Sequence, residues 1–499
     1  MTDKVSRRQF VGGLSSLAGL AACGSDVKST DWDLIVVGAG TAGLPAAIFA
    51  AERGARVLVL DAADRIGGSL LLANGQMSAA GTRVQKQKGI VDTPDLHFED
   101  VMRISNNTAD PTLVRLAVDN AAETFDWLMD GGFQMVPSHP VAGNAHEPYS
   151  QLRYYWGVRN GLSIVEVLER AMQPALESAR VVLGLQSRVT ELIQAPDGAV
   201  RGVVAVHSDG TAQDHRGRQV LLAAGGYGSN AQLFEQLCGY KDYGDSSYEY
   251  SQGVGIQLGM AAGGYVRGRE NYLSNFGGIL TDDTFPARVL ARFNSYPERR
   301  QPWEIYVNVN GERFVREDIP SVDAREHALL EQPELRYWIL FDQPVAEQAP
   351  PGVIGWSRDE VMAAFDGQPM FYRADSLDEL AVACGLPRAT VAQTVADYNQ
   401  AVVSGEDRLG REHMPRPIDS GPFYAIRMQG YSTTSTVGLT VDQQLRVIRD
   451  SGAPIPNLYA AGEVLGSGQL MGQSFCGGMM ITPALTFGRL LGQGLLQFA

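Results

Sequence analysis

The run Asp33-Leu-Ile-Val-Val-Gly38-Ala-Gly40-Thr41-Ala42-Gly43-Leu44 has the residue types and spacing to hold a dinucleotide. An apolar strand leads into a Gly-x-Gly-x-x-Gly turn, and residues 46–51 then read as a helix. Gly38 permits the tight turn, Gly40 lets the backbone approach a pyrophosphate, and Gly43 lets the helix pack close to the sheet. The helix start offers bare N–H groups and a partial positive charge to the phosphates. Asp61 closes the next strand, 55–60, where a carboxylate can hydrogen-bond a ribose hydroxyl.

The sequence points to FAD rather than NAD. Arg65-Ile-Gly67-Gly68-Ser69 follows directly after Asp61 and Ala62, and a second glycine pair suits a long ligand whose pyrophosphate and ribitol continue along the chain. Two distant segments, Val220-Leu-Leu-Ala223-Ala224-Gly225-Gly226 and Asn457-Leu-Tyr-Ala-Ala-Gly462-Glu463, read as further buried strands ending in small residues. An isolated NAD domain needs no such strand near the C-terminus.

The elements that must position these residues fit a large chain. Its 499 residues and 44% hydrophobic content suffice for a large core and two domains. A net charge of −15 argues against nucleic acid or an anionic membrane surface as partner. Ser6-Arg7-Arg8-Gln9-Phe10-Val11 reads as a twin-arginine export signal, followed by an apolar stretch too short to span a membrane. Leu20-Ala-Ala-Cys23 resembles a lipobox, so Cys23 is a candidate lipid anchor, and residues 24–30 a polar tether. These features place the protein in the periplasm or cell envelope. The other cysteines, Cys238, Cys384 and Cys476, form no CxxC or CxxCH pattern, so neither a metal site nor a haem attachment is expected. A Cys238–Cys384 bridge after export is compatible with this spacing. Electrons must pass to or from a separate partner such as a quinone or cytochrome, a small acceptor or oxygen.

From Asp33 to Gly492 the chain resembles the FAD-dependent fumarate reductase and 3-ketosteroid dehydrogenase superfamily. The likeness rests on Ala79-Ala80-Gly81-Thr82, Asn310-Gly-Glu-Arg313-Phe314, Gly462-Glu463 and Thr486-Phe-Gly-Arg489. It implies an α/β fold, a split Rossmann-like FAD-binding domain with an inserted α+β capping domain. The implied boundaries are 31–272 and 430–499 for the FAD-binding parts and 273–429 for the cap, after a leader and tether over 1–30. It further implies a hydride exchanged between FAD N5 and a carbon–carbon bond beside an activating group. Expected cofactor contacts are Gly38, Gly40, Thr41, Ala42, Gly43, Asp61, Ala62, Gly67, Gly68, Ser69, Ala80, Gly81, Thr82, Val189, Ala223, Ala224, Gly225, Gly462, Glu463, Gly477, Gly478 and Ile481. Val254 stands where the superfamily carries an acid. No histidine lies between Asp61 and Leu96, so the FAD is expected to be non-covalent.

The superfamily's catalytic cations are replaced. Its proton-donating arginine falls on Ser321, its carboxylate-binding arginine on Phe475, and its histidine motif on Tyr431-Ser-Thr-Thr-Ser435. A buried dicarboxylate without cationic partners costs several kcal/mol, so fumarate and succinate are disfavoured. The ketosteroid branch's two tyrosines fall on Phe475 and Ser321, so that mechanism does not transfer intact either. The catalytic candidates are Ser321, Tyr306, Tyr431 and Phe475, with Asp318 and Arg325 near Ser321. The amides of 477–479 are candidates for an oxyanion hole. Arg313 reads as a cap-hairpin salt bridge, His139 and His146 as solvated loop residues. Arg153-Tyr-Tyr-Trp156 fits either a wall of the substrate entrance or a packed aromatic cluster. The expected reaction is α,β-dehydrogenation of an apolar, perhaps cyclic, ketone. The alternatives are enone or enoyl reduction at the same site and a non-catalytic electron-transfer flavoprotein.

Overall fold

The computed structural model describes residues 32–143 and 146–497. The export signal, Cys23 and the tether lie outside the described residues. Trp32–Val37, Val57–Leu60 and Val181–Gly184 run parallel on one side of the first sheet, and Ala212–Leu222 and Pro454–Ala460 extend it in parallel on the other. Their near-continuous Val, Leu and Ile runs suit strands buried on both faces. The hairpin Ser187–Gln194 and Val200–His207 attaches to Ala212–Leu222, and Arg446–Ile448 closes the far edge antiparallel. Helices Gly43–Glu52 and Ile481–Leu490, from opposite ends of the chain, cover this sheet together. Gly488 permits that contact, since a Cβ there would lie 2.1 Å from the Ala42 carbonyl oxygen.

The second sheet orders Ile305–Asn308, Arg336–Asp342, Phe423–Gln429, Gly278–Leu280, Ala287–Arg292 and Gly244–Asp245, with Phe371–Ala374 also paired to Phe423–Gln429. Helices Leu377–Cys384 and Arg388–Ser404 pack on one of its faces. Arg313 forks onto Glu317 at 2.7 and 2.6 Å and reaches Asp407 at 2.5 Å, while Arg411 lies 3.4 Å from Glu317. This buried knot is the cap-hairpin salt bridge expected for Arg313. Cys238, Cys384 and Cys476 are buried free thiols, so the allowed Cys238–Cys384 bridge is absent.

Candidate active site

The glycine turn has the geometry its spacing requires. Gly38 has φ +111°, and a Cβ there would lie 2.3 Å from the Ala223 oxygen. A Cβ on Gly43 would lie 1.9 Å from the Gly38 oxygen. Gly40 differs: nothing lies within 4 Å of its Cβ position. Gly225 is also open, at φ +75°. Two glycines thus close the turn while two leave a backbone-lined cradle. No side chain caps helix Gly43–Glu52; Leu44 N donates to Gly40 O at 3.1 Å and Pro45 has no N–H, so an anion here would meet the backbone of the turn and the Gly43 amide. Asp61 accepts from Ala39 N at 2.6 Å and Ala63 N at 2.8 Å. Burial raises its pKa against those two bonds.

Further segments converge on this cradle. Gly67 N donates to Ala39 O at 2.9 Å, and Gly68 and Ser69 begin a short 3-10 turn. Ala223 N donates to Val37 O at 2.8 Å, with Ala224 beside it. Ala80 is buried, Gly81 N donates to the Gln85 side chain at 2.7 Å, and Thr82 caps helix Arg83–Gln87 through a reciprocal Thr–Gln box. Gly462, at φ +89°, packs against Ala42; Glu463 accepts from Ser435 N at 3.0 Å. Val189 stands at a register shift in its hairpin. Gly478 lies against the Met77–Ser78 backbone, and Ile481 opens a helix without a side-chain cap. An uncapped helix, an unfilled glycine cradle and a buried carboxylate at a strand end fit a flavin dinucleotide.

Five segments meet in a run of contacts from Phe475 to Tyr431. Phe475, in the loop before Ile481–Leu490, stacks on His146 with ring centres 3.9 Å apart and planes at 29°. Burial, then the neighbouring Arg292, push the His146 pKa down to about 3, so the ring is neutral. Ser321 is the N-cap of helix Val322–Leu330 and accepts from Ala324 N at 3.1 Å. Its hydroxyl also donates to Glu147. Arg292, at the end of its strand, lies 5.7 Å from the Tyr431 ring centre. Gly244 and Gly278 make room for that ring, since a Cβ on either would lie within 3 Å of Tyr431. Burial raises the Tyr431 pKa and Arg292 opposes it.

Tyr306 lies deeper in the cap, fully buried and grouped with Phe276 and Tyr337. Its hydroxyl has no hydrogen-bond partner among the described residues, and burial raises its pKa. Arg325 is fully buried beside it; one nitrogen donates to Ile319 O at 2.6 Å, while Nε and Nη2 have no partner among the described residues. Asp318 accepts from Arg316 at 2.7 Å and from Glu412 N and His413 N at 2.8 Å, so it serves cap structure. Glu326, also buried, is pushed up to about 8, first by burial and then by Asp323.

The expectation that His139 and His146 are solvated is corrected. His139 is buried against Trp156 with ring centres 3.7 Å apart, and His146 forms the stack with Phe475. Arg153 is fully buried, bonded to Asp92 at 2.7 and 3.0 Å and to Asp100 at 2.6 Å. The Arg153–Trp156 run is therefore a packed cluster. Sequence reading missed His146, Glu147 and Arg292. The one local hint was a dense run of charged, aromatic and proline residues over 146–153.

Residues 33–479 match the family described as FAD binding domain. The chain belongs to that family. FAD is its cofactor, and this flavoenzyme is an FAD-dependent oxidoreductase acting on CH–CH bonds. It is 29% identical to the "Fumarate reductase (cytochrome)" of Shewanella frigidimarina, over 94% of this chain and 77% of that protein. It is 24% identical to the "4-oxocyclohexanecarboxylate 2-dehydrogenase" of Sinomonas cyclohexanicum, over 93% and 92%. Its fold matches the 3-ketosteroid delta1-dehydrogenase structure from Sterolibacterium denitrificans with a TM-score of 0.72 at 20% identity, over 93% and 99%. Among the described residues no cluster of ligating side chains could hold a metal, and no helix is long and apolar enough to cross a membrane.

Proposed function

We propose that this flavoenzyme dehydrogenates the bond α,β to a carbonyl in an apolar, ring-bearing ketone. The observation that carries this reading is the Phe475–His146 stack, a flat, neutral aromatic plate whose next residue along the chain, Glu147, accepts from the Ser321 hydroxyl. A flat ring substrate packs well on such a plate, and aromatic contacts contribute about 0.5–1.5 kcal/mol beyond area burial. FAD, when bound, supplies a hydride acceptor. Gly38, Gly40, Thr41, Ala42, Gly43, Asp61 and Ala62 would hold its pyrophosphate and ribose end. The segments 67–69, 80–82, 223–225 and 462–463, with Val189, Gly477, Gly478 and Ile481, would hold the rest without a covalent bond. In this reading Ser321 takes the α-proton, Phe475 and His146 orient the ring, and Tyr431 with Arg292 faces the carbonyl. Tyr306 and Arg325 would support that wall from inside the cap.

The reverse reaction, enone reduction, uses the same groups, and the name of the Shewanella relative speaks for that direction in that protein. Residues 6–11 and Cys23 support export and a lipid anchor, with a quinone or cytochrome as electron partner. The test is anaerobic mixing of the oxidised holoenzyme with cyclohexanone, a ketosteroid and succinate. Flavin bleaching by ketones but not succinate is expected. Bleaching by succinate alone would overturn the substrate class.

A further inference from the structure

We propose that Glu147 works through Ser321 as the proton acceptor of the reaction. The inference rests on the dehydrogenase reading above. A serine hydroxyl is a weak base alone and needs a neighbouring acceptor to move a proton. The Ser321 hydroxyl has one hydrogen to give and two lone pairs to offer. Its hydrogen goes to Glu147, and one lone pair takes Ala324 N at 3.1 Å. One lone pair remains for a substrate. In the forward direction the substrate Cα–H bond breaks and its proton joins Ser321 Oγ. The original Oγ proton passes to the Glu147 carboxylate. FAD, when bound, would supply the acceptor for the Cβ hydride and its two electrons. The substrate gains one C=C bond, so atoms and electrons balance.

The loop carrying Glu147 is held in place by buried chemistry. Asp100 accepts from Ser150 N at 2.8 Å and Ser150 Oγ at 2.6 Å, and Arg153 fixes Asp100 in turn. Arg103 donates to Pro148 O at 2.9 Å. The Tyr149 hydroxyl donates to Gly477 O at 2.5 Å, tying this loop to the glycine pair after Phe475. Glu147 and Ser321 are separated by 174 positions, so their bond ties the 146–153 loop to the start of helix Val322–Leu330. Asp323, Glu326 and His327 on the cap helix, Arg292 on its strand and His146 on the same loop are the charged or titratable groups around the pair.

The test compares wild type with Glu147→Gln, Glu147→Asp, Glu147→Ala and Ser321→Ala as holoenzymes. A first readout is α-hydrogen exchange of cyclohexanone in D2O on dithionite-reduced enzyme, which cannot accept a hydride. Wild type should exchange it, and Glu147→Gln and Ser321→Ala should lose the exchange. Turnover in Glu147→Gln should fall about a hundredfold. Acetate should restore Glu147→Ala at least about tenfold, a rescue that a merely structural carboxylate would not give. Should Glu147→Ala fail to retain FAD, Glu147→Asp carries the test with partial activity expected. Wild-type activity with unchanged Glu147 variants overturns the relay alone. A wild-type enzyme inert to cyclic ketones and 2-cyclohexenone in both directions overturns the dehydrogenase reading and the relay with it.

Discussion

The cofactor cradle and the inner face of the cap treat polar groups in opposite ways. At the cradle, Asp61, Thr82 and Gln85 are each bonded to nearby backbone or side chains, and recognition is left to glycine backbone and an uncapped helix. At the cap, the Tyr306 hydroxyl, two Arg325 nitrogens and one Asp323 oxygen have no partner among the described residues. Buried polar groups are normally paired, and leaving one unpaired costs about 1–3 kcal/mol. At the cradle most buried side chains are thus paired, Ser78 Oγ excepted, whereas the cap keeps several buried groups without a partner among the described residues.

The sharpest way to break this comparison is to fill the cradle. Gly43→Ala should cost more than about 4 kcal/mol because its Cβ collides with backbone. Gly40→Ala should leave apoprotein stability within about 0.5 kcal/mol yet lose FAD. Urea midpoints and flavin-to-protein absorbance ratios measure both. Next in size, Arg153→Met should cost about 3–5 kcal/mol by leaving Asp92 a buried charge without its cation, while Asp100 keeps Arg103, read from the same urea curves.

Glu326 sharpens the cap side. Its folded-state pKa of about 8 lies above the unfolded value near 4.5, so the folded state binds its proton more tightly. The stability this contributes is full below the unfolded pKa and is lost as pH rises through 8. Glu326→Gln should therefore flatten the decline in unfolding free energy between about pH 5 and 8, an effect of about 3–4 kcal/mol. Phe475→Ala should lower kcat/KM about tenfold, or ~1.4 kcal/mol, while FAD content stays unchanged. Equal loss of FAD would instead place Phe475 in the cofactor wall.

The cradle was legible in the sequence because its physics is local. Only glycine tolerates the positive φ of Gly38 or the close approach at Gly43, so chemistry and spacing coincide within a dozen residues. The central strands were legible for a similar reason, as apolar runs. The cleft was not. Phe475 and Ser321 were found by their places in motifs, but their partners His146 and Glu147 come from an irregular loop with no periodicity. That loop is placed by Arg153, Asp100 and Tyr149, whose bonds cross 50 to 328 positions. His146 and His139 looked solvated because a proline-rich segment reads as surface, and only tertiary packing buries His139 and stacks His146 on Phe475.

The most direct test of the account is a single anaerobic turnover of Ser321→Ala beside wild type, each fully loaded with FAD and mixed with the same cyclic ketone. The account predicts rapid flavin bleaching in wild type and at least about a hundredfold slower bleaching in the variant, with equal FAD content. Equal bleaching rates in the two proteins would contradict it.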